Sequence, residues 1–279
     1  MPKLGLGLSL SNGVSLKGIS SEARSWNTRA GSPLTPTQLA LYDTFFFRPM
    51  ISAGLFAKFD RLNIYALNGV GNEALALQNT ISSSFTVSKI STPTFSVNGF
   101  AATAVSTYLD LNYNPSTQAS RLSLNSITQF VVVKNPSFSA AARSMSARTG
   151  TPASRMSVLR DVGPPQQLTI NSTNTTGAAA NVNVVTTGNV FLGGVRSSSS
   201  SSVAYVNKNA GSVSATASTS LPNTNVYELV ENFANPTPSP TTPFDAFSHM
   251  ASGHGQALTQ AEIESLQDIL NGLWTALGL

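Results

Sequence analysis

The chain contains no cysteine, so neither disulfides nor thiolate metal sites can hold it together. Charge is almost as scarce: Asp, Glu, Lys and Arg make up 10% of its 279 residues, against about a quarter in ordinary globular domains. Histidine occurs twice, at His249 and His254. No run approaches the roughly eighteen apolar residues that a membrane-spanning helix needs. The N-terminal MPKLGLGLSLSNG is interrupted by Gly5 and Gly7 and lacks a small-x-small cleavage site, so it does not read as an export signal. The catalytic motifs with fixed spacing, G-x-S-x-G, the P-loop and H-E-x-x-H, are missing as well.

What is present is rich in Ser, Thr, Asn and Gly, with an ordinary hydrophobic content of 41%. That composition suits a β-rich surface of hydroxyls and amides, and it suits a cytosolic enzyme poorly. A chain of this length can bury a complete core as one all-β domain. The net charge of +4 is unevenly spread. Arg121 to Lys208 holds eight basic residues and one acid, Asp161, while Asn209 to the C-terminus holds six acids and no Lys or Arg. Because the basic residues stand singly and not in clusters with aromatics, they predict complementary halves of one domain, or of neighbouring subunits, and no nucleic-acid surface.

Residues 53–79 contain no Ser, Thr or Pro, and within them Gly54 to Leu67 (GLFAKFDRLNIYAL) is apolar on both parities. It is expected to be a central strand covered on both faces, with Lys58, Asp60 and Arg61 pairing at a sheet edge or rim. Ahead of it, Thr35, Pro36 and Gln38 form a helix start with a capping box. Thr259 and Glu262 repeat that signature before a seam of Ile263, Leu266, Leu270, Leu273 and Leu277, which should pack on the outside of a sheet.

Between the helices, ITQFVVVK at Ile127–Lys134 is a strong strand. Weaker strands are expected at 95–97, 107–111, 156–160, 167–170, 181–186, 190–192, 203–207, 213–215 and 226–230, with a hairpin turn at Asn207–Gly211. Segments 173–181 and 197–202 read as mobile loops, and 235–243 as polyproline-like chain. Residues 1–33, with leucines alternating at 4, 6, 8 and 10, read as an assembly arm or edge strand, and 34–279 as a single β-sandwich domain. An unpaired strand edge on the arm predicts a homo-oligomer.

Candidate chemistry is thin. Gly69, Gly71 and Ala74 give the G-x-G-x-x-A form of a dinucleotide fingerprint, but the next acid after Glu73 is Asp110 and no βαβ unit follows, so no cofactor is expected. Asp245, His249 and His254 are spaced too loosely for a metal site, and HMASGHG reads as a Gly-rich approach to the last helix. Glu228 and Glu231 lie an odd distance apart on an expected strand and should face opposite ways, unlike a glycosidase pair. No catalytic, cofactor or metal residue is assigned.

TPTFSVNGF followed by STYLDLNYNP, then NVFLGGVR, VAYVNKNAG and GHGQALTQAEIESLQDIL, together resemble a concanavalin A-like (laminin G-like) jelly-roll domain over roughly residues 92–279. LGLGLSL and GLFAKFDRLNIYAL in the first ninety residues are similar to structural proteins of tailed bacteriophages that carry this sandwich. The resemblance implies an all-β jelly roll with one helix before the first core strand and one C-terminal helix. It also implies a non-enzymatic virion component (fibre, tail or capsid decoration) whose partners are copies of itself, other virion proteins and host surface glycans. Lectin members coordinate calcium through clustered Asp and Asn. Asp110, Asn112 and Asn114 suggest such a cluster, although Asn114-Pro115 reads equally as a turn. The alternatives are a carbohydrate-binding module of a bacterial surface protein and a divergent glucanase.

Overall fold

The computed structural model describes residues 18–67, 72–136, 142–150, 153–160, 166–170, 178–180, 187–234, 237, 239–241 and 244–279. Among the described residues strand outweighs helix and is arranged as two facing sheets, with helices at the two ends and two single helical turns between. One hydrophobic cluster runs from Ile19 to Leu277.

The first sheet follows the order 209–210, 201–206, 189–198, 127–134, 249–255, 99–101 and 94–96, and Phe59–Ile64 adds alongside 249–255. The second follows 178–180, 166–170, 153–160, 142–150, 227–228, 108–110 and 88–90. Glu231–Ala234 lies parallel to 142–150 and pairs with Pro240–Thr241. The two sheets face each other through Met145, Met156 and Val158 of the second, and Gln129 of the first donates from Nε2 to the Ser157 carbonyl at 3.0 Å.

Both capping boxes form. Thr35 accepts from the Gln38 amide and Thr259 from the Glu262 amide, with the reciprocal side-chain bonds in place. The helix Gln260–Leu277 buries Ile263, Leu266, Leu270, Leu273, Trp274 and Leu277, and Gly278 at φ +76° ends it. It packs on the outer face of the first sheet, where Gln267 donates to the Asn207 carbonyl at 2.8 Å. This is why Ile127–Val133 is buried at every position: sheet covers one face and helix the other.

Several expectations need correction. More than one helix precedes the first core strand. Ser21–Arg29 is a helix whose Trp26 is fully buried against Tyr42 and Phe47 at 5.3 and 5.5 Å, so residues 18–33 pack on the domain; residues 1–17 lie outside those described. Pro36–Ser52 then continues as helix through a π turn at Asp43–Phe47. Phe59–Ile64 is buried on both faces as expected but is not central. Among the described residues it pairs only with 249–255, and its other edge is met by Asn79 and Thr80.

HMASGHG is not an approach to a helix but an inner strand, between 127–134 on one side and Phe59–Ile64 and Gly99–Ala101 on the other. Its glycines answer to close packing. A Cβ on Gly253 would meet the Phe130 ring at 2.5 Å, and one on Gly255 the Lys58 carbonyl oxygen at 2.3 Å.

The serine run 197–202 belongs to a hairpin turning at Ser199–Ser200, and Arg196 donates to the Ser198, Ser199 and Thr216 carbonyls. Residues 213–215 form only an isolated bridge, Ser202 to Ser214. Strand 142–150 was not expected at all. The expected strand 181–186 and most of 173–181 and 235–243 lie outside the described residues, as do Gly69 and Gly71.

Charge complementarity within the domain is as expected. Arg143 and Arg155 of the basic segment lie 3.6 and 2.7 Å from Glu231, and Lys208 meets Asp268.

Candidate functional site

The site begins with a one-residue irregularity. Phe59 pairs with Gly255 and Arg61 with His254, so Asp60 is the extra residue of a β-bulge. A bulge re-aims the side chain it carries. Here it puts Phe59 on the same face as Leu62, against Phe130 at 6.0 Å, and turns Asp60 sideways toward the loop at 120–122.

Asp60 is 5% exposed and saturated with donors. Its Oδ1 accepts from Ser120 N at 2.9 Å, Ser120 Oγ at 2.7 Å and Arg121 N at 2.8 Å. Its Oδ2 accepts from Leu122 N at 2.9 Å and the Tyr113 hydroxyl at 3.0 Å. Burial first, then the Asp60 charge, pushes the Tyr113 phenol far above its ordinary value, so it stays a donor.

Over this carboxylate lies an open cleft of about 490 Å³. Phe56, Phe59, Ile81 and Phe85 give it an apolar floor. Ser82, Ser84, Gln118, Ser120 and Arg121 give it a polar rim. Phe85 stands edge-on to Tyr113 at 5.0 Å and sits at φ +62°, a left-handed conformation that costs a bulky residue about 1 kcal/mol or more. Strain of this kind persists where the surroundings over-determine it, and it gathers at functional sites.

Beneath the cleft the sandwich interior is ionic. Arg61 and Asn63, alternate residues of one strand, and Tyr65 just past its end point inward. Arg61 is fully buried. It donates to Asn63 Oδ1 at 2.7 Å, Tyr65 Oη at 3.1 Å, Ser252 Oγ at 3.2 Å and His254 Nδ1 at 3.2 Å, and it lies 3.6 Å from Glu228 Oε1.

Glu228 and Asp245 then flank the His249 ring at 3.5 and 3.1 Å. Burial pulls the His249 imidazolium down, but hydrogen bonds to Asp245 and Glu228, and their charges, outweigh it and raise the group to about 9. Two cations and two anions thus neutralise one another with no exposure to solvent. His254 behaves oppositely, since burial and the Arg61 charge push it well below 6.5. The Arg61 donor fixes its Nδ1 as acceptor, leaving the proton on Nε2.

Opposed histidine shifts make a pH prediction. His249, raised on folding, adds stability that is whole below the ordinary value of 6.5 and is lost as pH rises through about 9. His254, depressed on folding, adds stability that is whole above 6.5 and is lost as pH falls below it. Denaturant midpoints measured from about pH 5 to about pH 10 should therefore peak near 6.5. His249→Asn should flatten the alkaline limb and His254→Asn the acid limb. A wild-type profile level between 6.5 and 9 would contradict the assignment.

Of the residues that the sequence put forward, Asp245 and His249 do meet, while His254 joins Arg61 instead. No group of three metal-ligating side chains occurs among the described residues. Asp110, Asn112 and Asn114 do not converge. Asp110 accepts from Asn112 N and Asn225, Asn112 donates to Thr86 O and Ser88 Oγ, and Asn114 caps the turn 115–118.

Glu228 and Glu231 do face different partners, but through a chain reversal at Leu229, φ +72°, and not through alternation along one strand. Lys58 pairs with Glu262 as a rim residue would, whereas Asp60 and Arg61 are not at a rim. Phe85, Gln118 and Arg121 went unrecognised; the one available signal was an acid inside an apolar strand.

No family model and no curated protein matches the chain. Solved structures do. A Trypanosoma rangeli sialidase mutant displaying trans-sialidase activity aligns with a TM-score of 0.54 at 11% identity, over 84% of this chain and 39% of that one. The chain thus spans about two fifths of that sialidase's length. The binding domain of botulinum neurotoxin serotype D gives 0.52 at 10% identity, over 76% and 52%. Domain 4 of AbnA, a GH43 extracellular arabinanase from Geobacillus stearothermophilus solved in complex with arabinotriose, gives 0.51 at 11% identity, over 75% of this chain and 98% of that domain. At 10–11% identity the likeness is one of fold alone.

Proposed function

We propose that the chain is a non-catalytic sandwich of the concanavalin A-like type that recognises surface glycans through the cleft over Asp60. We propose further that it serves as a structural or attachment component of a tailed-phage particle, assembled with copies of itself and with other virion proteins. The observation that carries the glycan reading is the cleft. The half-buried rings of Phe56 and Phe85 inside a polar rim are what a pyranose, apolar on its C–H faces and polar at its edge, requires.

Non-catalysis is supported by the state of the acids. Glu228, Asp245 and Asp60 are 0, 0 and 5% exposed and engaged with internal partners, so no pair of them can flank a glycosidic bond. The virion setting is supported by the sequence resemblance of the first ninety residues. A second reading, a carbohydrate-binding module of a bacterial surface protein, is favoured by the match to nearly the whole of the arabinanase domain.

Phe85→Gly tests the cleft. Glycine relaxes the φ +62° strain while removing the ring. In titration calorimetry against arabinotriose and galactose- and uronate-based oligosaccharides, the variant should lose about tenfold or more in affinity for whichever the wild type binds. Its loss of stability should be small. Unchanged affinity would move the site elsewhere, and release of new reducing ends from any of these sugars would overturn non-catalysis.

A further inference from the structure

The cleft's hydrogen-bonding balance is one-sided. Both oxygens of Asp60 are consumed by five donors. Gln118 Oε1 already accepts from Asn114 N, which leaves its amide NH₂ as the free end. Ser82 Oγ already accepts from Asn79 Nδ2 and Ser84 N. Against these spent acceptors stands the exposed guanidinium of Arg121, which has no ion-pair partner among the described residues. Its backbone is pinned, because its own amide and those of Ser120 and Leu122 all end on Asp60. The Ser84 and Ser120 hydroxyls remain as neutral partners, and with the Asp60 charge buried beneath five donors the exposed charge at the rim is the Arg121 guanidinium.

A neutral sugar hydroxyl both donates and accepts, so facing a guanidinium, which only donates, it leaves its own donor capacity unused. A carboxylate or sulfate oxygen only accepts, and a planar guanidinium fork matches it in bidentate fashion. The geometry points to a saccharide bearing an acceptor-only anionic group as the ligand of this cleft, with Arg121 as the residue that selects the charge. This rests on the glycan reading above and narrows it to a class.

The experiment compares trigalacturonate, galactotriose and a sulfated galactose oligomer by calorimetry on the full chain. At least one anionic sugar should bind about tenfold more tightly than galactotriose, the scale of one hydrogen bond to a charged group. Raising the ionic strength should shrink the difference. Arg121→Gln should bring the affinities to parity, with the anionic sugar losing far more affinity than galactotriose, and Arg121→Lys should restore only part of the preference. The relative affinity of the carboxylate and the sulfate tells which anion the cleft takes. Equal affinity for neutral and anionic sugars, or a preference that survives Arg121→Gln, overturns the inference while leaving the glycan reading standing. If none of the three binds and Phe85→Gly changes nothing, both fail.

Discussion

Arg61→Met should cost the domain about 3–5 kcal/mol, the usual cost of removing one partner from a buried ion pair. Arg61 has no solvent exposure and is shared by Asn63, Tyr65, Ser252, His254 and Glu228. Methionine nearly fills the stem's volume but leaves Glu228 facing His249 and the Tyr65 hydroxyl, with one countercharge gone. Stability totals of 5–15 kcal/mol make this a large fraction of the whole.

Glu228→Gln should also destabilise, by leaving Arg61 without its nearest anion. The double variant should lose less than the sum of the two, because replacing both members of a buried pair can be nearly neutral. Urea denaturation of the four proteins measures the coupling. A loss below about 1 kcal/mol for Arg61→Met would place the pair among contacts that contribute little.

That network also marks where the sequence stops being readable. The helix starts at Thr35 and Thr259 are legible because capping is local: an acceptor at one position and a side chain three residues on suffice. The strand Ile127–Lys134 is legible because β-branched and aromatic residues fill it. His249–Gly255 is illegible for the opposite reason. Its His, Ser and Gly residues have little β preference, and Gly253 and Gly255 are required by Phe130 and Lys58, far away along the chain. Strand 142–150 hides in the same way, with Arg, Ser and Ala along most of its length.

The candidate site is harder still, since its floor and rim come from Phe56, Phe85, Gln118 and Arg121, which share no motif. Even Asp60 gives only half a signal. Strict alternation puts Phe59 and Leu62 on opposite faces, and only the bulge reconciles them.

Asp60 is accordingly the residue through which bulge, loop and cleft are coupled, and Asp60→Asn should separate its roles. The substitution keeps shape and burial but turns one of the two acceptors into an NH₂ donor. If the amide oxygen replaces Oδ1, Ser120 N, Ser120 Oγ and Arg121 N stay satisfied while the NH₂ faces Leu122 N and the Tyr113 hydroxyl. Tyr113 can rotate its proton and accept, but the Leu122 amide cannot. The opposite flip strands the Ser120 and Arg121 amides instead.

Either way a buried donor is left facing a donor, at a cost of about 1–3 kcal/mol. The damage should stay local, because the ionic quartet around His249 holds the sandwich independently. Amide exchange should therefore accelerate about tenfold or more at Ser120, Arg121 and Leu122 while remaining slow along Ile127–Lys134. Saccharide affinity should fall with it, since Arg121 would no longer project from a fixed backbone. Unchanged exchange at these three amides would show that the loop stands without Asp60 and that the carboxylate serves the core alone.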